Sequence, residues 1–122
     1  ILITTGTVTS ASLMDERLPK RALHQFVPID RAAWVRRFLK YWQPDLAIWV
    51  ESELWPNLLL ETAARGIPMV LLNARISADS HTGWQRARGL AHHLLSSFSL
   101  VLAQDETIAA RLLDLGAANV SV

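Results

Sequence analysis

The sequence predicts an α/β fold in which helices cover both faces of a parallel sheet. Three observations predict it. Short β-rich apolar runs alternate with longer amphipathic stretches along the chain. The runs are solidly apolar, as strands buried on both faces are, and do not alternate in and out. Glycines, prolines and aspartates fall where helices should begin and end. In 122 residues, 51% of them hydrophobic, this pattern describes one domain with Rossmann-like layering.

The first strand is expected at Ile1–Thr4, leading through a polar turn into a helix over Ser10–Leu18. A second strand, Ala22–Val27, stops at Pro28, and Asp30 stands where the N-cap of a helix over Arg31–Trp42 should be. In that helix Trp34, Val35, Phe38, Leu39 and Trp42 fall on one side and Arg36, Arg37 and Lys40 on the other. This describes a core-facing stripe with a solvated basic face, or a membrane-surface helix with its cations on lipid phosphates. Pro44 marks the turn into a strand at Leu46–Val50. A helix over Leu54–Arg65 has Pro56 in its first turn and Gly66 just past its end, where a left-handed cap is needed. There follow a strand at Pro68–Leu72, one long helix over Asp79–Ser96 and a strand at Leu100–Ala103. A helix over Asp105–Leu115, capped by Asp105 and closed by Gly116, leads to a last strand at Asn119–Val122.

Composition narrows the function. The net charge of +1 gives no reason to expect nucleic acid as a partner. With no cysteine, disulfides and thiolate metal sites are excluded. His92 and His93 are neighbours on a helix and point apart, His24 lies in a strand and His81 near a helix start, so no metal site is expected. No apolar run approaches the roughly 20 residues of a membrane span. The chain opens directly on strand-like ILITT and closes on ANVSV, and it reads as a piece of something longer.

In parallel sheets, ligands gather outside the carboxyl ends of the strands. Those ends are TGTVTS (Thr5–Ser10), PID (Pro28–Asp30), ESELWPN (Glu51–Asn57), NARIS (Asn73–Ser77) and QDE (Gln104–Glu106), all polar. The Thr5, Thr7, Thr9 and Ser10 hydroxyls surround Gly6, where helix N-terminal amides could hold an anion; alternatively Thr9 or Ser10 only caps the helix. Neither a GxGxxG nor a Walker lysine is present, so no dinucleotide or ATP loop is indicated. Glu51 and Glu53 stand where burial without a partner would cost several kcal/mol. A helix N-terminus, worth roughly 0.3–1 kcal/mol per acid, explains Glu53 well and Glu51, still on the strand, less well. Arg75 could bind a phosphate or carboxylate, or form an ion pair with one of those glutamates. Asn73 and Ser77 flank it with short polar groups.

ESELWPN, followed by GIPMVLLNARIS and LVLAQDETIAARLLDLGA, resembles the bacterial 3-deoxy-D-manno-octulosonic acid (Kdo) transferases, glycosyltransferase family 30. TTGTVTSA and VPIDRAAWVRRFL match the same family's strand ends, so the resemblance runs along the whole chain in order. It implies the N-terminal, acceptor-side domain of a GT-B glycosyltransferase of lipopolysaccharide biosynthesis. That domain would receive a lipid A precursor, and a C-terminal domain outside residues 1–122 would bind the donor CMP-Kdo. No further cofactor is implied. It also implies a location on the cytoplasmic face of the bacterial inner membrane. A first strand, with the loop bearing the general base, is expected upstream and would lie between the strands at Ile1–Thr4 and Leu46–Val50.

By the same resemblance Glu51, first acid of the motif, orients the acceptor or assists the base. Glu53 and Asn57 shape the turn, and Trp55 is an apolar wall or core plug. Arg75 meets the acceptor phosphate or the sugar-acid carboxylate. Thr5, Thr7, Glu53, Asn57, Asn73, Arg75, Ser77 and Gln104 make up the expected substrate-binding set. Two other readings are compatible with the pattern: a GT-B enzyme or epimerase acting on another sugar nucleotide, and a non-catalytic Rossmann-like binding domain.

Overall fold

A computed structural model describes residues 1–122. Twelve elements follow one another: β1 (Leu2–Thr5), α1 (Val8–Arg17), β2 (Leu23–Phe26), α2 (Ala32–Trp42), β3 (Ala47–Val50), α3 (Pro56–Ala64), β4 (Met69–Ala74), α4 (Ala78–Arg86), α5 (Arg88–Leu95), β5 (Leu100–Ala103), α6 (Glu106–Asp114) and β6 (Val120–Ser121). Every strand pair is parallel, as apolar runs separated by helices require.

The strands form two sheets. One is β1–β2, with Leu2 opposite Leu23 and Thr5 opposite Phe26. The other runs β3–β4–β5–β6. β1 and β3 do not close up on each other, which leaves between them the place where a strand upstream of Ile1 is expected. Ile48 and Val50, 54% and 60% exposed, lie on the unpaired side strand β3. Of the two sheets, the larger carries the core. Met69 and Leu71 of β4 and Val101 of β5 are fully buried against Leu59 of α3, Leu94 of α5 and Leu112 of α6. A smaller cluster of Val35, Leu39 and Leu58 joins α2 to α3, with Val27 and Trp49 packed against it.

Local signals place most boundaries. The Asp105 side chain accepts the Ile108 N–H at 2.8 Å at the start of α6. Pro56 opens α3, and Gly66 (φ 67°) and Gly116 (φ 108°) take the left-handed conformation. At Gly116 a side chain would run into the His92 ring.

Four expectations need correction. The long helix over Asp79–Ser96 is two, α4 and α5, broken at Ala87. Gly83 and Gly89, both weak helix formers, flank the break. Asp114 at the end of α6 also holds both pieces, lying 2.9 Å from His81 and 3.0 Å from Arg88. Trp34 is 53% exposed and so leaves the apolar stripe, because the buried line of α2 passes through Val35 and Leu39, one residue further round. Thr7, not Thr9 or Ser10, caps α1, accepting the Ser10 N–H at 3.1 Å. Asp30 does not cap α2: Arg31 holds that position without a side-chain bond, and Asp30 is used elsewhere.

Candidate functional site

Parallel strands end side by side, so the carboxyl edge of the larger sheet brings together residues far apart in sequence. At the end of β3, the Glu51 N–H donates to Leu72 O at 2.9 Å, so Glu51 lies beside the last residues of β4. Across β4, the Gln104 N–H donates to Ala74 O at 3.3 Å. The Gln104 amide Nε2 also donates to Asn73 Oδ1 at 2.8 Å. Glu51, Asn73 and Gln104 therefore follow one another along a single edge.

Backbone strain marks the same place. Of the three non-glycine residues in the left-handed conformation, Glu51 (φ 62°) and Asn73 (φ 54°) stand on this edge, while Gln43 (φ 44°) closes α2. Asn tolerates this conformation because its short side chain bonds locally. A glutamate gains nothing of the kind and costs on the order of 1–2 kcal/mol there. Strain of this sort gathers at functional sites.

The Glu51 carboxylate is exposed and has no hydrogen-bond or ion-pair partner. The Arg75 guanidinium is likewise without a partner, so the ion pair with Glu51 or Glu53, the alternative to a ligand-binding role, does not form. Arg75 is held by its backbone instead, its N–H donating to Ser52 Oγ at 2.9 Å. Ser52 thus ties the β3 loop to the β4 loop. Sequence reading passed over it because a serine between two acids carries no signal of its own. Ser77 caps α4, accepting the Ser80 N–H at 3.1 Å.

The ESELWPN turn is braced from a distance. Asp30 Oδ1 accepts the Leu58 N–H at 2.8 Å and Oδ2 the Asn57 N–H at 3.1 Å, while Asn57 Nδ2 donates to Asp30 O at 2.8 Å. Asp30 is therefore the carboxylate at the N-terminus of α3, the role that sequence reasoning allowed to Glu53. Glu53 instead accepts the Trp55 Nε1–H at 3.2 Å. Trp55 is 41% exposed and is not a core plug. The bracing also brings the end of β2 to the start of α3, on the carboxyl side of β3.

The threonine loop ends on that side too, since Thr5 pairs with Phe26. Its hydroxyls are used locally: Thr5 Oγ1 and His24 Nε2 share a 2.8 Å hydrogen bond, and Thr7 donates to Ser10 Oγ at 2.8 Å. No hydrogen bond joins this loop to Glu51, Asn73 or Arg75. No group of three or more His, Cys, Asp or Glu side chains is arranged to hold a metal ion.

This edge can orient a hydroxyl-bearing ligand and offers one free carboxylate and one free guanidinium, the latter in a fork that suits phosphate or carboxylate. The family model described as 3-deoxy-D-manno-octulosonic-acid transferase (kdotransferase) matches residues 1–122. The chain belongs to the Kdo transferase family. Among its relatives is a 3-deoxy-D-manno-octulosonic acid transferase of Rickettsia felis, 44% identical over 105 residues that cover 86% of this chain and 22% of that protein. The transferase of Haemophilus influenzae is 34% identical over 116 residues, 95% of this chain and 27% of that one. A probable mitochondrial transferase of Arabidopsis thaliana is 43% identical over 103 residues, 83% of this chain and 23% of that one. The chain spans about a quarter of the length of these Kdo transferases.

Proposed function

We propose that residues 1–122 form the acceptor side of a GT-B glycosyltransferase that moves Kdo from CMP-Kdo to a lipid A precursor in lipopolysaccharide biosynthesis. The observation that carries this reading is the coincidence of family and geometry. The family match spans every residue, and on its carboxyl edge stands Glu51, strained and unpaired.

In the reaction the acceptor hydroxyl attacks the anomeric carbon of Kdo, the bond from that carbon to the CMP phosphate breaks, and the hydroxyl proton passes to a base. Glu51 orients the acceptor hydroxyl or assists the base, which the family resemblance assigns to a loop upstream of Ile1. Holding the reacting groups in place and removing the proton are the contributions such residues make. Arg75, with no internal partner to displace, meets the acceptor phosphate or the sugar-acid carboxylate. Asn73 and Gln104 fix the edge between them.

The reading also places the protein at the cytoplasmic face of the bacterial inner membrane. No helix is long and apolar enough to cross a membrane; within residues 1–122 the surface suited to meet lipid is the exposed side of α2. There Trp34 and Tyr41 are 53% and 77% exposed, beside the unpaired Arg37 and Lys40. The deciding experiment supplies full-length protein with CMP-Kdo and a lipid A precursor and follows the acceptor's mass. The expected product carries added Kdo. An unchanged acceptor, or transfer from a different sugar nucleotide only, would overturn the reading.

A further inference from the structure

Behind the strained edge lies a cavity of about 240 Å³. Its floor is Leu71 of β4 with Leu95, Leu112 and Leu115, each no more than 1% exposed, and Trp84 of α4 forms one wall. Its mouth is polar, made by Ser52, Arg75, Ser77 and Ser80. The serines are satisfied: Ser77 donates to Ser80 Oγ at 3.0 Å, and Ser52 takes the Arg75 N–H. Of the mouth's polar groups, only the Arg75 guanidinium is left without a partner.

A space lined by leucines offers water too few polar partners and stays dry, while apolar ligands enter such spaces readily. The space is about eight times the roughly 30 Å³ that one water takes up in the liquid, enough for a stretch of hydrocarbon chain. The roof is α4, which meets the core through the partly buried Trp84. α4 has no buried residue and is held by polar ties from His81 and Gln85 to Asp114, at 2.9 and 3.1 Å.

We propose that this cavity is an acyl-chain site: it takes the end of one aliphatic chain of an anionic amphiphile whose charged group sits on Arg75. Charge complementarity selects the anion, since nothing else at the mouth answers the guanidinium. The apolar floor selects a chain over a second sugar, whose hydroxyls would lie unsatisfied against leucine. The inference rests on the functional reading above, in which the amphiphile is the lipid acceptor and the chain one of its acyl groups.

The test uses full-length protein and 10-bromodecyl phosphate, whose bromine quenches tryptophan fluorescence on contact. Saturable quenching is expected in the wild type. It should be lost in Trp84→Phe and in Ser80→Phe, which narrows the mouth, and Arg75→Gln should weaken it about tenfold or more. The uncharged 10-bromodecanol should bind wild type and Arg75→Gln alike. Quenching that survives in whichever of Trp84→Phe and Ser80→Phe melts like the wild type would place the ligand elsewhere and overturn the proposal. So would equal affinity of the phosphate for wild type and Arg75→Gln. Lack of Kdo transfer by the wild type would overturn the functional reading while leaving the quenching result to stand on its own. Transfer without quenching would overturn the cavity alone.

Discussion

Asp30 closes the N-terminus of a helix to which it does not belong. Its two carboxylate oxygens accept the Leu58 and Asn57 N–H groups at 2.8 and 3.1 Å, across the gap between the β2 loop and the ESELWPN turn. Removing a capping side chain costs about 0.5–2 kcal/mol, and this one satisfies two amides. Asp30→Ala should therefore lower stability by about 2 kcal/mol, read from urea unfolding. Asp30→Asn keeps one acceptor oxygen and should lose roughly half as much. An Asp30→Ala variant as stable as the wild type would show that the cap contributes nothing.

Glu51 and Arg75 lie on the same edge and do not pair, which separates stability from activity at Glu51. Glu51→Gln should leave the melting temperature unchanged and lower Kdo transfer by the full-length enzyme on the order of 10²-fold or more, within the about 10²–10⁴ that positioned acid–base groups contribute. Glu51→Gly goes further: it relieves the left-handed backbone, so stability should hold or rise by about 1 kcal/mol while transfer falls. Normal transfer by either variant would make Glu51 a turn residue only.

Glu61 joins α2 to α3 through Arg36 at 2.7 Å and Arg65 at 2.9 Å. The hydrogen bond from Arg65, and then that from Arg36, hold its carboxyl below the usual carboxylate range. Asp114 is lowered in the same way by Gln85, His81 and Arg88. A carboxyl lowered by folding binds fewer protons in the native state than in the unfolded one. It therefore adds stability above its unfolded pKa and loses it as pH falls through the folded value. Melting temperature should drop on the acid side of the carboxylate range, and the drop should be shallower in Glu61→Gln and Asp114→Asn. Identical acid limbs for wild type and both variants would remove these two groups from the account.

Arg36, Arg37 and Lys40 share one helix but not one role. Arg36 is tied to Glu61, whereas Arg37 and Lys40 have no ion-pair partner. Each basic residue near an anionic surface is worth about 1 kcal/mol. Arg37→Gln with Lys40→Gln should thus weaken binding of the full-length protein to anionic vesicles by more than tenfold at low salt. The difference should shrink as salt rises. Equal binding of variant and wild type would leave this face as ordinary solvated surface.

Residue pattern alone determined the order of strands and helices, the parallel class, the loops at the strand ends, and the ends set by Pro56, Gly66, Asp105 and Gly116. Those features depend on periodicity and on backbone preferences that a residue carries wherever the chain takes it. The tertiary structure decided which polar groups meet. Asp30 caps α3 and not its own helix, Glu51 and Arg75 stay apart, Ser52 ties two loops, and Trp34 turns outward while Val35 goes in. It also decided that Asp79–Ser96 is two helices hung from Asp114. A carboxylate or guanidinium can be satisfied by any complementary group within a few ångströms. Which group arrives there is set by how distant elements pack, and no local spacing encodes it.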